Sequence, residues 1–411
     1  MPHPSQSPTH PGPASPWGPP APRVHPAAPW TGGERRTRPR PLPVRPIAMS
    51  APDLDESDLR GVLEVLRSGR LALGPRLEQF ERAMADYLGV RHAVAMGSGT
   101  AALHLIVRAL GLGPGDQVLV PSFTFAASVN AILYEGAEPV FVDLDPDTCN
   151  LDVADLEARI TPRTRAIMAV DVFGHPADWE ALERVAARHG LALIDDCCEA
   201  LGAEYRGRKV GTFGAAGAFA FYPNKQMTTG EGGMVVTGDE RLAALCRSCA
   251  NQGRSAMGAW LQHDRLGWNY RMDELSAALG LSQLARLERF LARREAVARA
   301  YSERLAGWAE VQAPGVRPDV RMSWFVYVVT LAEGLDRDRT IAGLERDGVP
   351  ARGYFAPVHT QPYIRERFGD LSGTLPRTEA MARRTLALPF HNDLRADEID
   401  RVLGVLKRNL A

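Results

Sequence analysis

From His92 onward the chain alternates short apolar runs with stretches of helical periodicity, and this alternation restricts the possible architecture more than any other feature. The runs are His92–Met96, Gln117–Val120, Pro139–Asp143, Arg165–Val170 and Leu191–Ile194. Nearly continuous apolar strands are buried on both faces, and strands that alternate with helices are joined by crossovers, so the pattern predicts an α/β domain with a mostly parallel, doubly covered sheet. Between the runs, Ala101–Leu110 and Trp179–Arg188 carry apolar residues at helical spacing. Further strands are expected around Ala218–Phe221 and Gly233–Thr237. A long helical region from Met272 to about Arg304 leads out of this domain. The remainder, from Trp324–Thr330 to Leu410, mixes strand and helix like a smaller α+β domain. The expected division is a large domain over 46–290 and a small one over 291–411, with no internal repeat.

A chain of 411 residues, 45% hydrophobic and 24% charged, can bury a large core over two domains. No apolar run approaches the roughly 20 residues that cross a bilayer, and the N-terminus lacks the apolar centre of a signal peptide. The expectation is a cytoplasmic protein with no membrane partner. The first 46 residues differ: they hold 15 of the 31 prolines, six arginines and the single acid Glu34. Such a stretch cannot bury enough apolar surface to fold, so 1–45 is expected to be a disordered extension, or upstream sequence with the true start at Met49. Its charge of +5 leaves −6 on the rest of a chain whose net charge is −1, which argues against nucleic acid as a partner. Five cysteines without a secretion signal fit free thiols in a reducing compartment. Cys246 and Cys249 form a lone CxxC in a helical context and are expected to be buried helix thiols rather than metal ligands.

Four local features carry chemistry. Lys225 lies in a turn within Phe219-Ala-Phe-Tyr-Pro-Asn-Lys225-Gln-Met-Thr-Thr-Gly-Glu-Gly-Gly233, between an apolar run and a glycine cluster, and is a candidate Schiff-base lysine. Gly97-Ser-Gly-Thr100 follows a strand and opens a helix, where backbone N–H groups and the positive helix end suit a phosphate. Asp195 and Asp196 close a buried strand. Alternation turns them to opposite faces, and Asp196 is the one expected to face a ligand and to hold a pyridine nitrogen protonated. Phe125 follows another strand end and can lie against a planar ring. Each also has a plain structural reading: a surface lysine in a hairpin turn, a small-residue turn, helix-capping acids, a core phenylalanine. A phosphate turn, an aromatic wall, a strand-end acid and a turn lysine, in that order, together match what pyridoxal 5′-phosphate requires.

With these residues the chain resembles the DegT/StrS-type nucleotide-sugar aminotransferases, pyridoxal-phosphate-dependent enzymes of fold type I. The resemblance runs from about Pro46 to the C-terminus. It includes Leu73-Gly-Pro75, Gly97-Ser-Gly-Thr-Ala-Ala-Leu103, Gly113-Pro-Gly-Asp116, Pro121-Ser-Phe-Thr-Phe125, Gly267-Trp-Asn-Tyr-Arg-Met272, Tyr354-Phe-Ala-Pro-Val-His359 and Leu388-Pro-Phe-His391. It implies that Lys225 bonds the cofactor aldehyde, Asp196 pairs with the pyridinium nitrogen, Phe125 stacks on the ring, and Gly99 and Thr100 hold the phosphate. It further implies that Asn269 reaches the phosphate of a neighbouring subunit, so the working unit is a homodimer with shared sites, and that Arg271, Tyr354 and His359 lie near the substrate. Two departures stand out. Ala220 occupies a position where many members carry a serine that contacts phosphate. Glu199 replaces a glutamine or histidine near the cofactor's phenolic oxygen, where a carboxylate alters cofactor tuning or contacts the sugar.

The reaction implied is transfer of an amino group from L-glutamate, which becomes 2-oxoglutarate, to a keto-deoxysugar nucleotide. A 4-keto-6-deoxyhexose aminated at C4 is the leading substrate, in polysaccharide or glycan biosynthesis. Lys225 opposes the related sugar dehydratases, in which histidine takes its place. A regulatory protein is the other rival, supported only by the tail arginines.

Overall fold

The computed structural model describes residues 46–255 and 261–410; the proline- and arginine-rich stretch 1–45 lies outside the described residues. Seven strands form the central sheet: β1 (His92–Met96), β2 (Gln117–Pro121), β3 (Glu138–Val142), β4 (Thr164–Val170), β5 (Ala192–Asp196), β6 (Ala216–Ala220) and β7 (Gly233–Thr237). Their spatial order is β1-β7-β6-β5-β4-β2-β3. Pairing is parallel throughout except at β7, which runs antiparallel to both β1 and β6. The sheet is therefore mostly parallel, as the apolar runs require.

Strand alternation sorts the side chains onto two cores. Val94, Met96, Val118, Val120, Met168 and Ile194 pack with the helix Gly99–Ala109 on one face. Leu119, Ile167, Leu193 and Phe219 pack with Trp179 and Phe213 on the other. A third core surrounds a four-stranded antiparallel sheet built from Val311–Gln312, Tyr327–Leu331, Arg352–Gly353 and Thr385–Leu388. Cys246 and Cys249 are both buried on the helix Glu240–Ala250, as expected. Among the described residues, no helix is long and apolar enough to cross a membrane.

Two elements differ from their sequence expectation. The helical region after Met272 is two helices, Glu274–Leu284 and Leu287–Leu305. The break falls at Arg286, whose guanidinium is held by Asp55 and Asp58. The strand expected from Trp324 begins instead at Tyr327. Ser323 and Phe325 donate their N–H groups to Gly174 and Phe173, each at 3.0 Å, so this segment pairs with a turn outside the sheet.

The strand order reverses between β2 and β4, and in an open α/β sheet a ligand crevice lies beyond the carboxyl ends at such a point. Because β7 is antiparallel, its amino end and the loop that precedes it reach the same edge. Close backbone packing fixes this arrangement. A Cβ on Gly217 in β6 would lie 2.6 Å from Gly211 Cα and 2.8 Å from its carbonyl oxygen. Gly217→Ala is expected to destabilise the protein by about 1–3 kcal/mol through overpacking, read as a lower urea midpoint, with an unchanged midpoint as the contrary result.

Candidate active site

At the carboxyl end of β1 the chain turns through Ser98 into the helix Gly99–Ala109, and Ser98 Oγ caps it by accepting the Ala101 N–H at 3.1 Å. The N–H groups of Gly99 and Thr100 have no acceptor among the described residues. They open from the positive end of an eleven-residue helix, a setting for a phosphate. Small residues form its floor: a Cβ on Gly99 would meet Ala220 Cβ at 2.6 Å and Cys198 Sγ at 3.0 Å, and one on Gly233 would meet Ser98 C at 2.3 Å.

Phe125 ends the β2 segment at the N-cap of the helix Ala126–Tyr134, with 65% of its surface exposed. A phenylalanine ring left this open is available as a wall for a flat ligand. Ser128, in the first turn of that helix, donates its N–H to the Phe125 carbonyl at 3.3 Å and its hydroxyl to Asp196 Oδ2 at 2.6 Å. One side chain thus ties the aromatic wall to the strand-end acid. Ser128 was not apparent from the sequence, although its place three residues beyond Phe125, on the same helical face, is the signal that would have found it.

Lys225 caps the opposite side. Its turn is closed by its own N–H, which donates to the Tyr222 carbonyl at 2.9 Å, and by Arg294 Nη2, which donates to the Lys225 carbonyl at 2.9 Å. The side chain is 13% exposed, with Nζ 3.9 Å from Glu199 Oε1 and 3.7 Å from the centre of the Phe325 ring. The displaced start of the strand after Trp324 is what brings Phe325 there. Glu199 is held by the Phe173 N–H, which donates to Oε2 at 2.9 Å. The Tyr354 ring lies 6.1 Å from that of Phe173 and 6.4 Å from that of Phe325. The chain has three lysines; Lys209 lies against the Tyr87 ring and Lys407 over that of Trp308, so only Lys225 faces buried acids.

Burial pushes the carboxyls of Asp196 and Glu199 above the usual carboxylate range. Hydrogen bonds from Ser128 and Cys198, with the Lys225 charge, pull Asp196 back, and the Lys225 charge does so for Glu199. The Tyr354 hydroxyl is pushed up to about 12 by burial and the nearby Glu199. The site therefore offers one cation, two acids of raised proton affinity, an open aromatic face and two free N–H groups. A planar, phosphate-bearing aldehyde with a basic ring nitrogen fits this donor set.

The remaining candidates lie elsewhere. Asn269 is exposed and bridges the backbone of Asn251. Arg271 pairs its backbone with Met96 and donates Nη1 to Asn251 Oδ1 at 2.8 Å and Gln252 Oε1 at 2.9 Å. His359 is fully buried, with Nδ1 2.6 Å from Ser122 Oγ and Nε2 3.2 Å from Glu379 Oε1, so both ring nitrogens are engaged within the chain.

Behind Asp196, the other strand-end acid points to the opposite face, as alternation requires. Asp195 accepts the Gly211 N–H, while one oxygen of its carboxyl and one of the neighbouring Asp171 carboxyl are buried without a hydrogen-bond partner. Asp171 in turn donates its N–H to the Asp196 carbonyl at 3.1 Å and accepts from Trp179 Nε1 at 3.1 Å. Burial raises the proton affinity of both carboxyls, and for Asp171 the charge of Asp195 adds to it.

Comparison with known proteins agrees with this geometry. The sequence profile of the DegT/DnrJ/EryC1/StrS aminotransferase family matches residues 52–407. A GDP-perosamine synthase from Caulobacter vibrioides is 43% identical over 368 residues, spanning 89% of this chain and 98% of that protein. A dTDP-3-amino-3,4,6-trideoxy-alpha-D-glucose transaminase from Streptomyces venezuelae is 40% identical over 349 residues, spanning 84% of this chain and 90% of that one. Among solved structures, the PLP form of Spr1654 from Streptococcus pneumoniae superposes with a TM-score of 0.84 at 26% identity, covering 89% of this chain and all of that one.

The raised proton affinity of Asp195 has a measurable consequence. Its pKa is raised to about 7, so its contribution to stability is complete below the ordinary carboxylate range and is lost progressively from there as pH rises through that value. Asp195→Asn keeps a neutral group there. Wild type is expected to lose unfolding free energy relative to D195N between about pH 4 and 7, measured by urea denaturation, and a pH-independent difference would contradict a protonated, buried Asp195.

Proposed function

Because the chain belongs to the DegT/DnrJ/EryC1/StrS aminotransferase family, we propose that it transfers an amino group from L-glutamate to the keto group of a nucleotide-linked deoxysugar, with pyridoxal 5′-phosphate as cofactor. The leading substrate is a 4-keto-6-deoxyhexose, aminated at C4. The observation that carries this reading is the placing of the largely enclosed Lys225 Nζ 3.9 Å from Glu199 Oε1, with its charge acting on the buried Asp196. A sugar dehydratase has no use for that amine, and a regulator has no use for the pocket.

Bound pyridoxal 5′-phosphate supplies an electron-withdrawing ring that stabilises negative charge on the substrate carbon. This chain's residues do the rest. The Gly99 and Thr100 N–H groups would hold the phosphate, and Phe125 would cover one face of the ring and exclude water from it. Asp196, positioned by Ser128, would pair with the ring nitrogen and favour its protonated form. Lys225 Nζ would take a proton from the substrate carbon and hand it on, acting as general base and then as general acid. Glu199 and Tyr354 border the same space and can hold a proton beside the amine or meet the sugar. His359, engaged by Ser122 and Glu379, acts as a positioning residue for the loop after β2.

A homodimer is part of the proposal, with Asn269 and Arg271 as residues that one copy presents to the other, and with 46–290 and 291–411 as the large and small domains of each. Support comes from the helix Glu56–Ser68, which leaves Leu59, Leu63 and Leu66 exposed at one helical spacing, flanked by exposed Leu54, Leu71 and Leu73. An apolar strip of this kind is characteristic of a protein-protein contact.

Two outcomes test the proposal. With 2-oxoglutarate and a panel of GDP-, dTDP- and UDP-linked amino sugars, the protein is expected to form glutamate from at least one 4-amino sugar and Lys225→Ala from none; glutamate from a 3-amino sugar alone would move the reaction to C3. The double variant Leu59→Glu, Leu63→Glu is expected to halve the mass seen by light scattering, and a mass unchanged from wild type would place the dimer contact elsewhere.

A further inference from the structure

A cavity of about 350 Å³ lies along the Phe355–Pro357 segment, and Lys225 is not among its lining residues. Arg337, Arg365 and Arg383 line it, together with Phe355 and Thr360. A single acid, Glu379, contributes to the wall, and it is held by the Gly373 N–H and His359 Nε2. The lining is therefore net positive. Arg337 is braced by Asp338 and the Ala382 carbonyl, and Arg365 by Ser372 at 3.0 Å and Asp370 at 3.6 Å. Arg383 has no acidic partner among the described residues.

Arg383 brings to this lining a charge that no acid of the described residues answers, and planar guanidinium groups match the oxygens of a phosphate two at a time. The volume falls within the range of small-molecule sites and exceeds the need of a single ion, and the Phe355 ring adds an apolar wall. Phe355 itself stacks on Phe173 at 5.4 Å, the residue whose N–H holds Glu199. Glu379 is joined through His359 to Ser122, at the end of β2 and three residues before Phe125. The cavity thus shares two structural walls with the Lys225 site without opening on Lys225 itself.

We propose that the cavity bounded by Arg337, Arg365 and Arg383 is a binding site for a phosphate-bearing small molecule. The two sources of that chemistry are the nucleoside diphosphate of the sugar substrate and a free phosphate or pyrophosphate. The nucleotide source rests on the proposed function, whereas a site for free phosphate or pyrophosphate stands if the amino-transfer reading falls.

The test is calorimetric titration of the full-length protein saturated with pyridoxal 5′-phosphate, which leaves the Gly99–Thr100 turn occupied. The probes are phosphate, pyrophosphate, GDP, UDP and dTDP, used with wild type and with Arg365→Ala, Arg383→Ala, two exposed side chains whose loss spares the core. Wild type is expected to bind at least one probe, and the double variant to bind it at least about tenfold more weakly. A nucleoside diphosphate that binds about tenfold tighter than pyrophosphate identifies the substrate's nucleotide as the source, whereas equal affinities identify free phosphate species. The proposal is overturned if wild type binds no probe at concentrations up to about 10 mM, or if the double variant binds every probe as wild type does.

Discussion

The interaction on which the structure's chemistry depends is a single, partly buried lysine set against buried carboxyls. Asp195, Asp196 and Glu199 stand within five residues at the end of one strand, and all three are almost fully withdrawn from water. Burial of that much negative charge is costly unless protons or cations answer it. Two answers are built in: burial raises the proton affinity of Asp195 and Asp171 on one face, and Lys225 stands against Asp196 and Glu199 on the other. The alternation of a β-strand makes this separation possible, since neighbouring acids are sent to different environments.

The scaffold supplies the rest through close approach. The turn after β1, the end of β6 and the start of β7 pack so tightly that Gly99 and Gly233 have no room for a Cβ. This brings a helix N-terminus, a strand-end acid and the lysine loop to one edge of the sheet. Ser128 then links the acid to the aromatic wall, so orientation of the ring pocket rests on a short hydrogen bond from a hydroxyl. Elements far apart in sequence are held in register by main-chain contact rather than by flexible side chains.

Much of this was legible before any coordinates. β1 and β7 have the limits their apolar patterns predict, and the central sheet is the mostly parallel one of the fold type I aminotransferases that the resemblance implies. Lys225, Asp196, Glu199 and Phe125 carry unusual residue types at strand ends and turns, where a sequence pattern shows them. Ser128 looks like any helical serine, and only its distance to Asp196 sets it apart. Phe325 was assigned to a strand because its neighbours are apolar; its place under Lys225 depends on hydrogen bonds to Phe173 and Gly174, which no local pattern encodes. His359 and Arg271 fall in recognisable motifs, but motif position does not reveal that their polar atoms are engaged within the chain. The arginine cavity has no signature at all, since Arg337, Arg365 and Arg383 come from separate segments.

Covalent trapping tests the central claim most directly. The chain has three lysines, Lys209, Lys225 and Lys407, so an adduct has few places to form. Borohydride reduction of the protein loaded with pyridoxal 5′-phosphate, followed by peptide mapping, is expected to place a single reduced pyridoxyl group on Lys225. Catalytically active protein with that side chain unmodified, or with the label on Lys209 or Lys407 instead, would contradict the account.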